Sequence, residues 1–156
     1  MKRSERERDV AWEIFRLCRI LQSCSCPRWS EIGLYRGQPF VIEALCRREG
    51  MTQSELAVAM HVQPATITHM VQHMQRAGLI ERQSDERDLR VSRVFLTDAG
   101  RAMAQPVEDV CRVIGEKALG GFTTEECATL HGLLLRLRDN LIEYGDPEED
   151  GALCAT

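Results

Sequence analysis

The stretch TQSELAVAMHVQPATITHMVQHMQRAGLIERQSDERDLRVSRVFLT, residues 52–97, decides the fold. Thr52-Gln-Ser-Glu55 has the form of a capping box, in which the hydroxyl accepts a backbone N–H and the glutamate reaches back. The helix it opens is expected to bury Leu56 and Met60 and to stop near His61-Val62. Pro64 suits a first helical position, where a missing N–H costs nothing. A second helix is therefore predicted over 64–77, closed by Gly78 as a left-handed cap. Residues 79–82 and 91–96 read as strands flanking an arginine-rich tip at 83–90. Helix, turn, helix and hairpin in that order predict a winged helix-turn-helix, a unit that sets its second helix into the major groove of DNA.

The second helix sorts its faces in a way that fits. Ile67, Val71 and Met74 fall at i, i+4 and i+7, one apolar stripe for a core. Thr66, His69, His73 and Arg76 follow on another face, with Gln63 and Gln72 near them. Those side chains are hydrogen-bonding groups and one cation, with no carboxylate among them. Phosphate repels carboxylates and base edges need donors and acceptors, so a DNA-facing surface has this composition. Arg76, Arg82, Arg87, Arg90 and Arg93 concentrate on the same unit.

Beyond this reading, Gly50-Met-Thr-Gln-Ser-Glu-Leu-Ala-Val-Ala-Met60, Val62-Gln-Pro-Ala-Thr-Ile-Thr68, Ala77-Gly-Leu-Ile-Glu-Arg82, Asp88-Leu-Arg90 and Val94-Phe-Leu-Thr-Asp-Ala-Gly100 resemble the MarR family of bacterial transcription regulators. The resemblance implies a mainly α fold with a small β-hairpin wing, flanked by N- and C-terminal dimerisation helices. It implies one domain over 1–145, with the winged core at 38–97, the dimerisation helices at 4–22 and 98–145, and an acidic, disordered tail at 146–156. It places Asp88 as the residue that pairs with an arginine and fixes the wing, and Arg90 in the minor groove. Recognition-helix contacts map onto Gln63, Thr66, Thr68, His69, Gln72 and His73. A homodimer on a palindromic operator follows, with half-sites about 10 bp apart. Repression and release by a small molecule are the family's usual mode. An effector pocket is expected around Trp12, Phe15, Trp29, Tyr35 and Phe40, with Arg16 and Arg36 as anchors for a carboxylate or phenolate.

Composition bounds the alternatives. The chain has 156 residues, a formal charge of −4 and a 44% hydrophobic fraction, enough for one core of ordinary size. The acidic sum argues against nonspecific DNA binding, whereas the local arginine cluster permits specific binding, because charges beyond a Debye length are largely screened. Of the 20 basic residues only Lys2 and Lys117 are lysine, and arginine's planar fork suits guanine, phosphate and a narrow groove. No apolar run reaches the ~20 residues of a membrane span. The first residues, Met-Lys-Arg-Ser-Glu-Arg-Glu-Arg-Asp, lack the apolar segment of a signal peptide, so a cytoplasmic protein is expected. Seven cysteines without an export signal are expected as reduced thiols. Cys24-Ser-Cys26 lacks the partner pair that zinc requires, so neither metal nor cofactor is expected. Cys46, Cys111 and Cys127 are expected as small hydrophobes on helix stripes. Cys18, Cys24 and Cys26 define the alternative function, a thiol-based redox or metal sensor on the same scaffold. The sequence contains no Gly-rich phosphate loop, Gly-x-Ser-x-Gly or His-Glu-x-x-His, and no enzyme is expected.

Outside the winged unit, a first helix is predicted with Val10, Ile14, Leu17 and Leu21 on one stripe, then an irregular segment over 23–32, then a helix over 38–48. Thr97 is expected to cap one long helix kinked at Pro106. Gly120-Gly121 breaks the chain, and Thr123-Thr-Glu-Glu126 caps a last helix with Leu130, Leu133, Leu134, Leu137 and Leu141 on its apolar face.

Overall fold

The structure, a computed structural model, describes residues 3–35 and 37–144. The expected acidic tail and Arg36 lie outside the described residues. Seven helices and three short strands occur in the order α1 (Arg3–Glu31), α2 (Gln38–Arg47), β1 (Met51–Thr52), α3 (Gln53–Met60), α4 (Pro64–Arg76), β2 (Ile80–Ser84), β3 (Ser92–Leu96), α5 (Asp98–Ala102), α6 (Ala104–Ala118) and α7 (Thr124–Tyr144), counted among the described residues. The chain divides into two compact units: Met1–Ile114 carries the sheet and the core, and Gly115–Thr156 carries α7. No helix of the described residues is long and apolar enough to cross a membrane.

The core lies among α2, α3, α4 and the sheet. Val41, Ile42 and Leu45 of α2, Leu56 of α3, and Ile67, Val71 and Met74 of α4 are fully covered, as are Val94 and, within 2% exposure, Ile80 and Leu96. Trp29 from α1, Leu34 from the following loop, Met51 of β1, Ala57 of α3 and Val107 from α6 complete it. Each such side chain gains ~1.5–3 kcal/mol from leaving water, so the stripe on α4 alone fixes that helix's roll about its axis. Met60 of α3, expected in the core, packs half-buried against it.

The sheet is antiparallel, in the order β1-β3-β2, with Ile80 opposite Leu96 and Ser84 opposite Ser92 in the hairpin. The strand β1, which pairs Met51 with Val94, was not expected, because two residues are too few for alternation to show. Thr97 ties the hairpin to the next helix. Its hydroxyl donates to the Gly78 carbonyl at 2.6 Å, and the same oxygen accepts the Gly100 N–H at 3.1 Å. The Leu79 carbonyl passes so close to Gly100 that a Cβ there would meet its oxygen at 1.9 Å. The spacing Leu-Thr-x-x-Gly thus encodes a cap and a close backbone crossing.

Two helix boundaries differ from expectation. The first helix runs on through Pro27 to Glu31, where a stop near residue 22 and an irregular 23–32 were predicted. Pro27 removes one backbone hydrogen bond, but burial of Trp29 two residues later anchors the end of the helix against the core. After Thr97 there are two helices, broken at Met103. Pro106 has no N–H for the Ala102 carbonyl and its ring crowds that carbonyl, so the break falls one turn upstream of the proline.

The capping boxes form as read. Thr52 N–H donates to Glu55 Oε2 at 2.8 Å and Glu55 N–H to Thr52 Oγ1 at 3.1 Å. Thr123 and Glu126 repeat the pattern before α7, at 2.8 and 3.2 Å. Accepting these backbone N–H groups lowers the pKa of both glutamates.

The apolar stripes of the long helices are a different matter. On α1, Val10, Leu17 and Leu21 are exposed and Ile14 is half-buried. On α7, Leu133, Leu134 and Leu141 are exposed, and none of the helix's described residues is buried. Cys46 and Cys111, expected to pack as small hydrophobes, are exposed, and Cys127 is half-buried.

Candidate nucleic-acid interface

The turn between α3 and α4 is made by the backbone. His61 takes a left-handed conformation (φ 51°) as the cap of α3, and Val62 N–H reaches the Ala57 carbonyl at 3.1 Å. Gln63 and Pro64 then start α4 without a side-chain cap, which leaves the Gln63 amide free of that duty. Gly78 closes α4 in the left-handed region, as expected.

With Ile67, Val71 and Met74 inward, all seven expected contact residues of this helix region are exposed. The side chains of five of them, Gln63, Thr66, His69, Gln72 and Arg76, make no hydrogen bond or ion pair with the described residues. Two are engaged. The Thr68 hydroxyl donates to the Pro64 carbonyl at 3.0 Å. His73 Nδ1 lies 2.9 Å from the Gln38 amide nitrogen, and its ring meets Tyr35 edge-on at 5.7 Å between centroids. An i, i+4 metal site at His69 and His73 is disfavoured by that engagement, and no metal-holding cluster occurs among the described residues.

The wing is organised by a residue the sequence reading passed over. Asp85 Oδ1 accepts the N–H groups of Arg87 (2.8 Å) and Asp88 (3.1 Å), while Oδ2 pairs with Arg93 Nε. The Arg93 hydrogen bond, followed by these two backbone bonds, holds the Asp85 carboxyl down at about 2. Arg93 also donates to the Gly50 carbonyl at 2.8 Å and faces Glu55 at 3.9 Å, and Glu55 in turn pairs with Arg48. A chain of alternating charges therefore links the base of the wing to the start of α3.

Two expectations are corrected here. The arginine pair that fixes the wing belongs to Asp85, whereas Asp88 accepts the Arg90 N–H at 3.0 Å and shapes the tip. Asp85 stands at the mouth of the hairpin, across from the strand that carries Arg93; Asp88 is at the far end. Arg93, grouped by sequence with the DNA-facing cations, is committed internally. Arg82 donates from Nε to Ser92 Oγ at 3.1 Å. The guanidinium groups of Arg76, Arg87 and Arg90 have no partner among the described residues. Leu89, between Asp88 and Arg90, is 81% exposed at the tip. Asp85 was legible in principle, since an aspartate two and three residues before free N–H groups is an Asx-turn signal.

The residues expected to line an effector pocket are not gathered in one place. Trp29 is in the core. Trp12 and Phe15 sit edge-to-face on the exposed side of α1, at 6.1 Å, and Arg16 pairs with Glu13 at 3.3 Å. Tyr35 rests on His73, and Phe40 is exposed on α2. Cys18, Cys24 and Cys26 are exposed on α1.

A two-helix reader with a backbone-made turn, a three-stranded sheet and a tip bearing unpaired arginines define a winged helix-turn-helix protein. Residues 34–92 match the MarR family. The chain is 29% identical over 133 residues to the uncharacterised HTH-type transcriptional regulator YybA of Bacillus subtilis (strain 168), covering 85% of this chain and 89% of that one. It resembles the solved structure of the transcriptional regulator SlyA with a TM-score of 0.81 at 27% identity, covering 86% of this chain and 95% of that one. A Listeria monocytogenes transcriptional regulator of MarR type, solved in complex with a 26mer DNA, has the same fold, with a TM-score of 0.83 at 20% identity over 94% and 97% of the two chains. Over residues 34–92 the chain matches the MarR family, and its fold is that of solved MarR and SlyA transcription regulators.

Proposed function

We propose that this protein is a sequence-specific DNA-binding regulator, a repressor that acts as a homodimer on a palindromic operator and is released by a small-molecule effector. The observation that carries the reading is the contrast in how its polar groups are used. Arg93, Asp85, Glu55 and Arg48 satisfy one another, whereas the side chains of Gln63, Thr66, His69, Gln72, Arg76, Arg87 and Arg90 form an outward set with no partner among the described residues. Unpaired donors and cations on a recognition helix and a wing tip are what a base edge and a phosphate require. The DNA complex of the Listeria regulator, which shares the fold, supports the same use of the surface.

The homodimer draws on the uncovered leucines of α1 and α7, and two-fold symmetry would present two copies of α4 to one side of a duplex. The effector reading draws on Trp12 and Phe15, an exposed aromatic pair beside Arg16. The thiol alternative draws on the exposure of Cys18, Cys24 and Cys26. It requires peroxide to release DNA, a reductant to restore binding, and a Cys18→Ser, Cys24→Ser, Cys26→Ser variant to lose the response.

The experiment that tests the main reading is a gel shift with the DNA upstream of the protein's own gene, with unrelated DNA as competitor. A retarded complex that survives the competitor supports it. Equal binding to both DNAs, or binding to neither, contradicts it.

A further inference from the structure

Gln38, at the first residue of α2, is the one buried polar side chain among the described residues, at 4% exposure. Both ends of its amide are used. The Tyr35 N–H donates to Oε1 at 3.0 Å, and Nε2 lies 2.9 Å from His73 Nδ1. These two contacts determine the chemistry of the histidine. A backbone N–H can only donate, so the amide oxygen must face Tyr35. The amide NH2 is then left for His73, and since it too can only donate, Nδ1 must be a lone pair. The remaining ring nitrogen, Nε2, carries the proton and lies on the side away from Gln38.

The surrounding contacts keep this arrangement in place. The Tyr35 ring meets the imidazole edge-on. The backbone at Gly37 adopts φ 73° and lies so close to α4 that a Cβ would meet Met70 Sδ at 2.7 Å. The loop before α2 is therefore pressed onto the recognition helix at Met70 and, one turn on, at His73. Turning the amide over would face Tyr35 N–H with NH2 and lose a hydrogen bond. Protonating Nδ1 would set two donors against each other.

We infer that Gln38 is a positioning residue for DNA readout: it holds His73 as the neutral Nε2–H tautomer, so that His73 offers a donor, and never an acceptor, to the acceptor atoms of a base edge or a phosphate. The consequence is one of specificity. An imidazole free to exchange tautomers can pair with a base-edge donor or with an acceptor, whereas a fixed Nε2–H donates only to the latter, such as guanine N7 or O6 or thymine O4. This rests on the DNA-binding reading above, because only a nucleic acid on α4 makes the outward nitrogen a contact atom.

The test has one arm without DNA and one with it. Long-range 15N–1H correlation of the full-length protein, labelled at histidine and assigned with a His73→Asn variant, reads the ring directly. The parent is expected to show an unprotonated Nδ1 and a protonated Nε2. Gln38→Glu keeps an acceptor for Tyr35 but offers His73 a carboxylate, and should place a proton on Nδ1. Gln38→Leu, checked for folding by circular dichroism, should give mixed tautomers. In the second arm, Gln38→Leu and His73→Ala should each reduce discrimination at the same base pair of a half-site by about threefold to tenfold. The double variant should lose no more than either alone, as expected for residues acting through one contact. A role limited to holding the fold would instead give additive losses spread over all sequences. If both variants weaken every sequence equally but non-additively, the acceptor is a phosphate. A proton on Nδ1 in the parent, a ring unchanged by Gln38→Glu, or additive losses would overturn the inference. If the parent binds no DNA, the readout role falls with the DNA-binding reading, while the nitrogen shifts still decide the tautomer.

Discussion

Two amphipathic helices of this chain obey the same periodic rule and end differently. The shorter, α4, hides Ile67, Val71 and Met74 completely. The longer, α7, carries six leucines over Thr124–Tyr144 and buries no residue at all. Both helices form, α7 behind a capping box and α4 behind Pro64 without a side-chain cap, so the difference is not one of helix formation. It lies in the covering surface that each helix meets within its own unit. The winged core closes on itself, with Leu56, Ile67, Val71, Met74, Val94 and Leu96 covered and Asp85, Arg93, Glu55 and Arg48 paired with one another. The terminal helices present apolar rows that call for another surface, and a second copy of the chain is the occupant proposed above.

The largest expected effect tests the closed half of that contrast. Gly100→Ala puts a methyl group against the Leu79 carbonyl, where neither partner is a flexible side-chain end. The expected cost is about 3 kcal/mol, read as a fall of roughly 10 °C in the unfolding midpoint. A midpoint unchanged within a degree or two would show that the crossing at Gly100 is loose.

Leu134→Asp tests the open half. Because Leu134 is 52% exposed in the protomer, the change should leave helix content intact. If α7 is covered in a dimer, burying an unpaired carboxylate should cost ~3 kcal/mol, about a hundredfold in the dimer dissociation constant. Mass measurement at micromolar concentration should find the parent a dimer and the variant a monomer. A parent that is monomeric and still binds DNA would remove the dimer from the account.

Smaller effects should separate the unpaired polar groups from the paired ones. Gln72→Ala should relax preference at one base pair in each half-site by ~1–3 kcal/mol if the contact is bidentate. Arg90→Ala should weaken binding to all sequences and lower the salt slope by about one phosphate equivalent per wing. Asp85→Asn should weaken binding despite removing a negative charge, since the wing loses its tie to Arg93. The folded pKa of Asp85 is about 2 against an ordinary 3.8. The stabilisation it lends the wing is therefore full above pH ~4 and fades as pH falls toward 2. Carboxyl NMR titration checks this, and a midpoint near 3.8 for Asp85 would mean that the Arg93 pair is not maintained.

What the sequence revealed and what it hid divide along distance. The capping boxes at Thr52 and Thr123, the stripe on α4 and the left-handed close at Gly78 are rules of three or four residues, and each formed as read. The course of α1 past Pro27 depends on Trp29 finding a distant core, which no local pattern contains. Within the candidate site, the outward face of α4 was legible from periodicity alone. The assignment of Asp85 to Arg93 spans 8 residues and that of Gln38 to His73 spans 35. Both needed the folded chain to tell a paired side chain from a free one.

The most direct test of the central claim is selection of binding sites by the full-length protein from a pool of random double-stranded DNA at physiological salt. A two-fold dimer reading DNA through α4 should enrich an inverted repeat with half-site centres about 10 bp apart. Each half-site should have a preferred base pair that weakens when the selection is repeated with Gln72→Ala. Enrichment of single, unpaired half-sites, or no enrichment over the starting pool, would contradict the account.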